Sequence, residues 1–345
     1  MDAQRDHTTI RAVAARAGVS RQTVSNAVNS PERLSAGTLA RVREAIEELD
    51  YRPDAAALAL TSRRSRLIGI RIGHSAQRHP SAPEELLREF VRAAARYDYR
   101  FVIFGSSPTD ADQIRGYGEI WRRRAVDGFI ISDGHARDAR PRWLHDHKVP
   151  FAVFGRPRDG AGDDHPWIDV DARAGMRLVV DHLVARGRTR IAFLGWAPDA
   201  AGGDDRAAGW AEAMASHGLD ADVTVRTADD SVRAADARVE ALLRDSRPHA
   251  VVCASDRLAA GVVRAGSRLG LSIGDDVLVT GYDDAPAATT TIPELTTLRE
   301  PFDRVADFLV DHVVHAAGIA NEAPPRTRVV EPQLVVREST IGTRA

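Results

Sequence analysis

The sequence predicts an all-α head at the amino terminus, followed by an α/β body of two doubly wound parallel-sheet lobes. Apolar residues recur at helical spacing through residues 9–49, whereas from about residue 66 short apolar runs alternate with amphipathic helical stretches. A chain of 345 residues also exceeds what one compact core holds and suits two or three domains. Head and body are therefore expected to be separate domains.

The head contains three helical stretches separated by short breaks. In TIRAVAARAGVSRQTVSNAVN, which begins at Thr9, a first amphipathic helix ends at Gly18, because glycine accepts the left-handed backbone of a tight turn. Val24 lies on the buried face of the second helix and fills the angle between the two. A third helix follows at about residues 35–49. This pattern predicts a helix-turn-helix whose second helix enters the DNA major groove.

Polar residues of the second helix lie on the face away from Val24. Arginine can bond a guanine edge in two places, and glutamine or asparagine can do so with adenine, so we expect base contacts from Arg21, Gln22 and Asn26. The alternative is that these residues form only the solvated side of a short helix. Other polar residues are interpreted as helix caps or phosphate contacts that fix the register: Thr9, Ser20, Thr23, Ser25 and Asn29.

Charge is divided unevenly between head and body. Residues 1–66 hold 11 Arg against 8 Asp and Glu, a balance of +3, while the remainder carries −5 and the whole chain −2. The overall balance argues against a wholly basic nucleic-acid coat. A basic head on an acidic body is typical of a protein of which one end meets phosphate.

The segments AGVSRQTVSNAVN and LSAGTLARVREAIEELDYRPDAAALAL resemble the head of the LacI/GalR family of bacterial transcriptional regulators. The resemblance implies a DNA-binding head at residues 1–52 and, at 53–65, a hinge helix and linker that become ordered on DNA. About two helical turns are too short to be stable alone in water. It also implies that Leu60 wedges into the central base step with Ala57 beside it, the alternative being an ordinary core leucine.

The body, residues 66–345, alternates strands with helices in two series. The first has the strands LIGIRI, FVIFG, GFIIS and FAVFG, with helices near 84–97, 110–124 and 137–147. The second begins at WIDVD and continues through IAFLGW, AVVCAS and VLVTGYDD, with helices near 172–186, 205–217, 231–244 and 256–269. The tail adds a helix near 301–316 and the strand QLVVRES.

The resemblance extends through this body and implies a fold like that of periplasmic binding proteins. In that fold the chain crosses between the lobes three times. We place lobe 1 at about 66–167 and 295–328, and lobe 2 at about 168–294 and 329–345. Such a pair of lobes forms a cleft with ligand groups at the carboxyl ends of its strands.

Two residues of the cleft match the family's effector contacts. Arg206 offers a rigid fork of donors, and Asp283 can accept bonds from two neighbouring hydroxyl groups. Alternatively, Asp283 caps a loop. Further candidates end strands that face the cleft: Phe154, Arg156, Trp196, Ser255 and Asp256. Of these, Trp196 is equally compatible with a place in the core.

These features predict a homodimeric repressor that a small sugar-like effector, a mono- or oligosaccharide, releases from double-stranded operator DNA. An effector acting as corepressor remains open. A solute-binding protein would need an export signal and no head, and a sugar enzyme would need a catalytic pair in the cleft. We find no phosphate-binding glycine loop and no Gly-x-Ser-x-Gly motif, and we expect no catalytic residue, metal site or cofactor.

The sequence favours a cytoplasmic protein. The segment MDAQRDHTTI lacks the apolar stretch of a secretory signal, and no apolar run is long enough to span a membrane. The single cysteine, Cys253, cannot form an internal disulfide and suits a reducing compartment.

Overall fold

The computed structural model describes residues 8–51, 64–72, 84–105, 109–132, 134, 138–157, 165–196, 203–227, 230–319 and 324–342. The chain divides into two compact units, Met1–Arg66 and Leu67–Ala345. The predicted hinge helix, with Ala57 and Leu60, lies outside the described residues. Among those described, no helix has the length and apolar character needed to cross a membrane.

The first unit is a three-helix head, built of α1 (Ile10–Ala17), α2 (Arg21–Asn29) and α3 (Ala36–Glu48). A serine or threonine hydroxyl caps the start of each helix; that of Ser20, for example, accepts the amide of Thr23 at 3.1 Å. Gly18 ends α1 with a φ of 64°, in the left-handed conformation. Apolar residues from all three helices form the core, with Val24 fully buried among them.

The second unit alternates strands and helices. The strands, in chain order, are β1 (Leu67–Ile72), β2 (Arg100–Gly105), β3 (Gly128–Ile131), β4 (Phe151–Phe154), β5 (Trp167–Val170), β6 (Ile191–Trp196), β7 (Thr224–Thr227), β8 (Ala250–Cys253), β9 (Leu278–Thr280), β10 (Thr297–Arg299), β11 (Thr327–Val330) and β12 (Gln333–Val335). The helices are α4 (Glu84–Ala95), α5 (Asp110–Arg122), α6 (Arg140–Asp146), α7 (Ala172–Val184), α8 (Gly203–Ser216), α9 (Val232–Ala241), α10 (Asp256–Arg268), α11 (Pro286–Thr290), α12 (Phe302–Ala316) and α13 (Glu338–Ile341).

Lobe 1 is built on a six-stranded parallel sheet in the order β11-β5-β4-β3-β1-β2. Successive residues of its strands point to opposite faces, so that Ile130 packs with α4 and α12 while Phe129 packs with α5 and α6. Helices therefore cover both faces, as a doubly wound lobe requires.

Lobe 2 is built on a four-stranded parallel sheet in the order β7-β6-β8-β9. Helices α7 to α10 pack around it, and α9 continues into a π-helical turn at Leu242–Ser246. An antiparallel pair, β10 with β12, lies beside this sheet. The predicted fold class, a helical head with a two-lobed α/β body, is confirmed.

Two lobe assignments from the sequence need correction. The sequence places WIDVD at the start of lobe 2, but Trp167–Val170 pairs with β4 and β11 in the lobe 1 sheet. It places the segment from residue 295 in lobe 1, but β10 pairs with β12, and Leu298 is part of the lobe 2 core. An apolar pattern identifies a strand without identifying its partner, which explains both errors. The chain still passes between the lobes three times, after β5, after β10 and between β11 and β12.

Candidate functional site

The exposed face of α2 holds the three residues expected to contact bases. Arg21 and Gln22 are exposed and Asn26 is half-exposed, whereas Val24 and Ala27 of the same helix are buried. The Gln22 amide nitrogen donates to the Asn26 side-chain oxygen at 3.0 Å, across one helical turn. The helix therefore presents guanidinium and amide groups together on one solvent-facing surface.

The other polar residues of the head divide by role. Thr9 and Ser20 act as helix caps, and the hydroxyls of Ser20 and Thr23 lie 2.9 Å apart. Ser25 is half-buried on α2, and Asn29 is its last residue. Capping accounts for Thr9 and Ser20 without DNA, and a phosphate contact from these residues remains a prediction.

In the body, Arg206 forms the centre of a charged cluster at the carboxyl edge of the lobe 2 sheet. It lies in the first turn of α8, and its side chain is only 13% exposed. Its Nη2 atom is 3.3 Å from Asp283 Oδ1 and 3.9 Å from Glu300 Oε1. Its Nη1 atom donates to the carbonyl of Ala254, and its guanidinium carbon lies 3.6 Å from the centre of the Tyr282 ring. These contacts fix the direction of the guanidinium group.

The turn after β9 holds Asp283 in an uncommon backbone conformation. The φ angles of Asp283 and Asp284 are 100° and 51°, in the region that favours glycine. The Asp283 amide donates to the carbonyl of Leu298 at 2.9 Å, and the Asp284 carboxylate accepts bonds from Arg299 and Arg337, both at 2.6 Å. The surroundings thus hold this turn firmly, as strained backbone at functional sites requires.

Two carboxyl groups, that of the half-buried Asp283 and that of the buried Glu300, share the single guanidinium of Arg206. Burial raises the pKa of Asp283 well above its usual range, and it also raises that of Glu300. Burial alone would lower the pKa of Arg206, but the negative charges around it, Asp283 foremost, outweigh that effect and raise it. The arginine therefore stays charged, and it faces two carboxyl groups whose ionised forms burial disfavours.

Asp256 and Ser255 have structural roles at the start of α10. The Asp256 carboxylate is fully buried and accepts the Thr297 hydroxyl at 2.6 Å and the Ala285 amide at 2.7 Å. Gly281 approaches it so closely that a Cβ atom there would lie 1.9 Å from Asp256 Oδ1. Ser255 caps α10 and donates to the buried carboxylate of Asp230. Both residues thus have hydrogen-bond partners within the protein, and an effector contact from either remains a prediction.

The facing side, in lobe 1, carries an ion pair. Arg156 Nε donates to Asp169 Oδ2 at 2.6 Å. Arg156 lies two residues after the end of β4, and Asp169 lies within the neighbouring strand β5. Asp169 is close enough to Glu300 that its charge adds to the rise in the Glu300 pKa caused by burial. The two lobes therefore face each other with charged groups, and lobe 1 contributes this pair.

The predicted aromatic contacts pack mainly in the cores. Trp196 is 4% exposed and belongs to the lobe 2 core, with Arg206 above its ring at 5.6 Å. Phe154 is half-buried and packs against the core formed with α12. Both side chains therefore pack against the protein core, and a sugar contact from either remains a prediction.

Sequence analysis missed three residues of this cluster. Tyr282 lies inside the VLVTGYDD segment and Glu300 follows a strand of only three residues, so neither position is recognisable from the sequence as facing the cleft. In the sequence, Asp169 is conspicuous only because it alternates with Asp171 in the segment WIDVD. A search for acidic residues directly after every short strand would have found Glu300.

A DNA-binding helical head joined to a two-lobed body with a charged cleft is the architecture of a ligand-responsive regulator. Residues 9–54 match the family described as bacterial regulatory proteins, lacI family, and residues 180–340 match a periplasmic binding protein-like domain. The transcriptional regulator CelR of Thermobifida fusca is 30% identical over 345 residues, covering 97% of this chain and 99% of the relative. The ribose operon repressor of Escherichia coli strain K12 is 30% identical, covering 89% and 92%.

A solved structure described as a CelR-cellobiose complex matches with a TM-score of 0.70 and 28% identity, covering 96% of this chain and all of that one. The lac repressor dimer bound to operator and the anti-inducer ONPF matches with a TM-score of 0.79 and 27% identity, covering 98% and 100%. The chain belongs to the LacI family and is a DNA-binding transcriptional regulator.

Proposed function

We propose that the body binds an uncharged sugar between its lobes and that this binding releases a homodimer from a near-palindromic operator. The cluster of Arg206, Asp283 and Glu300 carries the proposal. Sugar hydroxyls donate hydrogen bonds to carboxylates and accept them from guanidinium groups, so the cluster suits a polyhydroxylated ligand.

The balance of charge in the cluster favours an uncharged ligand over an anionic one. Asp283 and Glu300 already compete for one guanidinium, and the second arginine nearby, Arg156, is paired with Asp169. A phosphate or carboxylate on the ligand would add a further negative charge beside these two carboxyl groups at low solvent exposure, where repulsion is strong. We therefore assign Glu300 a role in selecting neutral sugars.

The named relatives support this class of ligand. One matching structure is a complex of CelR with cellobiose, and one relative is the repressor of a ribose operon. The lac repressor in the matching structure is a dimer on its operator, which supports the proposed homodimer.

At the DNA end, we propose that Arg21, Gln22 and Asn26 contact bases in each half-site. We further propose that the segment of residues 53–65 forms the hinge, with Leu60 as the minor-groove wedge and Ala57 beside it. The exposure of the α2 residues and the family membership support this assignment. Because the hinge is the covalent link between head and body, we expect ligand-driven closure of the lobes to act through it.

The proposal assigns no catalytic activity to the chain. The relatives named above are regulators. Cys253, the only cysteine, is fully buried in β8, and burial raises the pKa of its thiol far above its usual range, so it is a poor nucleophile.

The test combines a thermal-shift screen of sugars with operator affinity measured with and without the ligand that is found. A neutral sugar at 100 times its dissociation constant should stabilise the body by about 2.7 kcal/mol. Asp283→Asn should bind the operator like the parent but lose the response to the ligand. Glu119→Gln, an exposed site on α5, is the matched control and should respond normally.

Distinct outcomes would overturn each part of the proposal. A sugar acid or sugar phosphate as the preferred ligand contradicts selection for neutral sugars. An undiminished response in Asp283→Asn contradicts the position of the site. Tighter operator binding on addition of the ligand identifies a corepressor and contradicts release.

A further inference from the structure

A row of exposed cations crosses the amino edge of the lobe 1 sheet. Because parallel strands all begin at the same edge, residues just before them lie side by side. Arg100 is the first residue of β2, Arg123 and Arg124 precede β3, Lys148 precedes β4 and Arg326 precedes β11. We call these five residues the basic edge.

Among the residues that the structure describes, none with a negative charge pairs directly with the basic edge. All five side chains are exposed, and none makes an ion pair or a hydrogen bond within the described ranges of the chain. Of the acidic residues at this edge, Asp127 accepts a hydrogen bond from the Tyr99 hydroxyl at 2.8 Å, and Asp98 is exposed. A third carboxylate, that of Asp146, lies 3.9 Å from Arg142 Nε, so among the described residues of this edge five cations stand beside three carboxylates, on a body whose overall charge is negative.

The dimensions of the row suit a linear polyanion. Neighbouring strands are about 4.8 Å apart, so six strands extend over about 24 Å. Duplex DNA rises about 3.4 Å per base pair, and the row therefore matches about seven base pairs. A small anion would contact only one or two of these cations, whereas a nucleic-acid backbone can contact most of them.

The position of the row in the chain favours DNA over an acidic protein. The strand β1 begins at Leu67 on this same edge, directly after the linker from the DNA-binding head. Residues 52–66 can extend to at most about 50 Å, and this tether limits the distance between the end of the head and the start of β1. No other partner is brought near this surface by the covalent chain itself.

We propose that the basic edge contacts the phosphate backbone of duplex DNA flanking the operator. This inference rests on the DNA-binding function proposed above. The contact adds affinity that is independent of flank sequence and sensitive to salt, because phosphate contacts release condensed counterions.

The experiment compares a duplex of about 20 base pairs, covering two half-sites, with one of about 50 base pairs. The parent should bind the longer duplex on the order of tenfold more tightly at low salt, with a steeper dependence on salt concentration. Arg123→Glu/Arg124→Glu should bind the short duplex like the parent, without the tighter binding that the flanks provide. The homodimer loses four arginines in this variant, so its salt slope on the long duplex should fall by up to about 3.6, or about 0.9 for each phosphate that is no longer neutralised.

A matched control exists in lobe 2. Arg244→Glu/Arg247→Glu makes the same change in charge at exposed positions, and Arg247, like Arg124, has a positive φ, at 42° against 53°. This variant should still bind the longer duplex more tightly. Arg100→Gln/Lys148→Gln provides a second, milder change at the basic edge and should reduce the effect of the flanks in part.

Each result decides the question. Equal affinity of the parent for both duplexes overturns the proposal and leaves an acidic protein as the partner to consider. A flank effect that survives in both basic-edge variants, or that disappears in the control variant as well, also overturns it. Failure of the parent to bind even the short operator refutes DNA binding itself, and so is distinguishable from failure of the basic edge alone.

Discussion

Two arginine–carboxylate pairs show how differently the head and the cleft are built. In the head, Arg16 Nη2 lies 2.6 Å from Glu48 Oε2, with the two side chains 53% and 41% exposed. In the cleft, Arg206 Nη2 lies 3.3 Å from Asp283 Oδ1, with side chains 13% and 23% exposed. The shorter pair is the one surrounded by water.

The comparison indicates that burial, rather than the distance between the charged atoms, determines how much such an ion pair affects the free energy of unfolding. Water screens the Arg16–Glu48 pair, and exposed pairs contribute little to stability. Loss of Arg206 would leave two carboxyl groups at low exposure without their cation, a costly arrangement. Substitutions in the head should therefore affect DNA binding without unfolding, whereas those in the cleft should affect folding and ligand response together.

The largest effect should come from Arg206→Ala. Removing the guanidinium leaves Asp283 and Glu300 without a positively charged partner. We expect a loss of about 3–5 kcal/mol in the free energy of unfolding. Chemical denaturation measures this. Arg173→Ala, which breaks an ion pair of a more exposed arginine with Asp205, should cost under about 1 kcal/mol.

Removing the carboxylates as well should restore much of that loss. The triple variant Arg206→Met/Asp283→Asn/Glu300→Gln carries no unpaired charge in the cluster, so it should be more stable than Arg206→Ala. If Arg206→Ala proves no less stable than Arg173→Ala, the contrast between cleft and surface is wrong.

The next effect concerns pH. Burial raises the pKa of Asp256 to about 7. A carboxyl group with a raised pKa stabilises the fold below its unfolded value, and that contribution is lost as pH rises from about 4 to about 7. Between pH 5 and pH 8 the parent should lose about 2–3 kcal/mol through this group, at about 1.4 kcal/mol per pH unit.

Asp256→Asn should reduce the slope of stability against pH. The slope should not vanish, because burial also raises the pKa values of Asp283 and Glu300, which act in the same direction. Denaturation at several pH values measures the slope, and Asp303→Asn, at an exposed position, is the control. An unchanged slope in Asp256→Asn would show that this carboxyl group is ionised throughout.

Replacing Arg21 or Gln22 with Ala tests the head. Each should cost about 1–3 kcal/mol on the correct operator and relax the base preference at one position of each half-site. Thermal stability should stay unchanged, because both side chains are exposed. Operator affinity with single-base substitutions measures the effect, and affinity that is indifferent to both variants would exclude α2 as the base-contacting helix.

The smallest effect should come from Glu48→Ala, which removes the partner of Arg16. We expect a loss of about 0.2–1 kcal/mol, and less at high salt. A larger loss that persists in salt would show that distance matters more than burial here, and would break the comparison between the two pairs.

The same contrast explains which parts of the molecule the sequence predicts well. The fold of the head depends on contacts between residues that are close in the sequence. Ser20 caps the amide three residues later, and Gly18 turns the chain between adjacent helices. Such local signals are visible in the sequence itself. The three helices and the exposed face of α2 were therefore predictable from the residues.

The cleft depends on contacts that the sequence does not display. Arg206 and Asp283 are 77 positions apart and were assigned through family resemblance, not through any local pattern. Ser255 and Asp256 also end a strand, but they begin a helix as well, and capping and burial engage their polar atoms. A position at the end of a strand therefore does not by itself identify an effector contact. Which of these residues face the ligand depends on which strands lie next to one another in the sheets.

The hydrogen bonds from Arg337 to the Asp283–Asp284 turn form late, because Arg337 is synthesised long after the head. Arg337 donates hydrogen bonds to Asp284 and to the carbonyl of Leu295, and the head precedes it in the chain. Between synthesis of Tyr51 and of Arg337 roughly 15–60 s elapse at ordinary translation rates. A nascent or prematurely terminated chain therefore carries the operator-binding helix before Arg337 stabilises the turn of the effector-binding cleft. We expect a chain that ends before Arg337 to respond poorly to the effector, because the turn that carries Asp283 lacks these contacts.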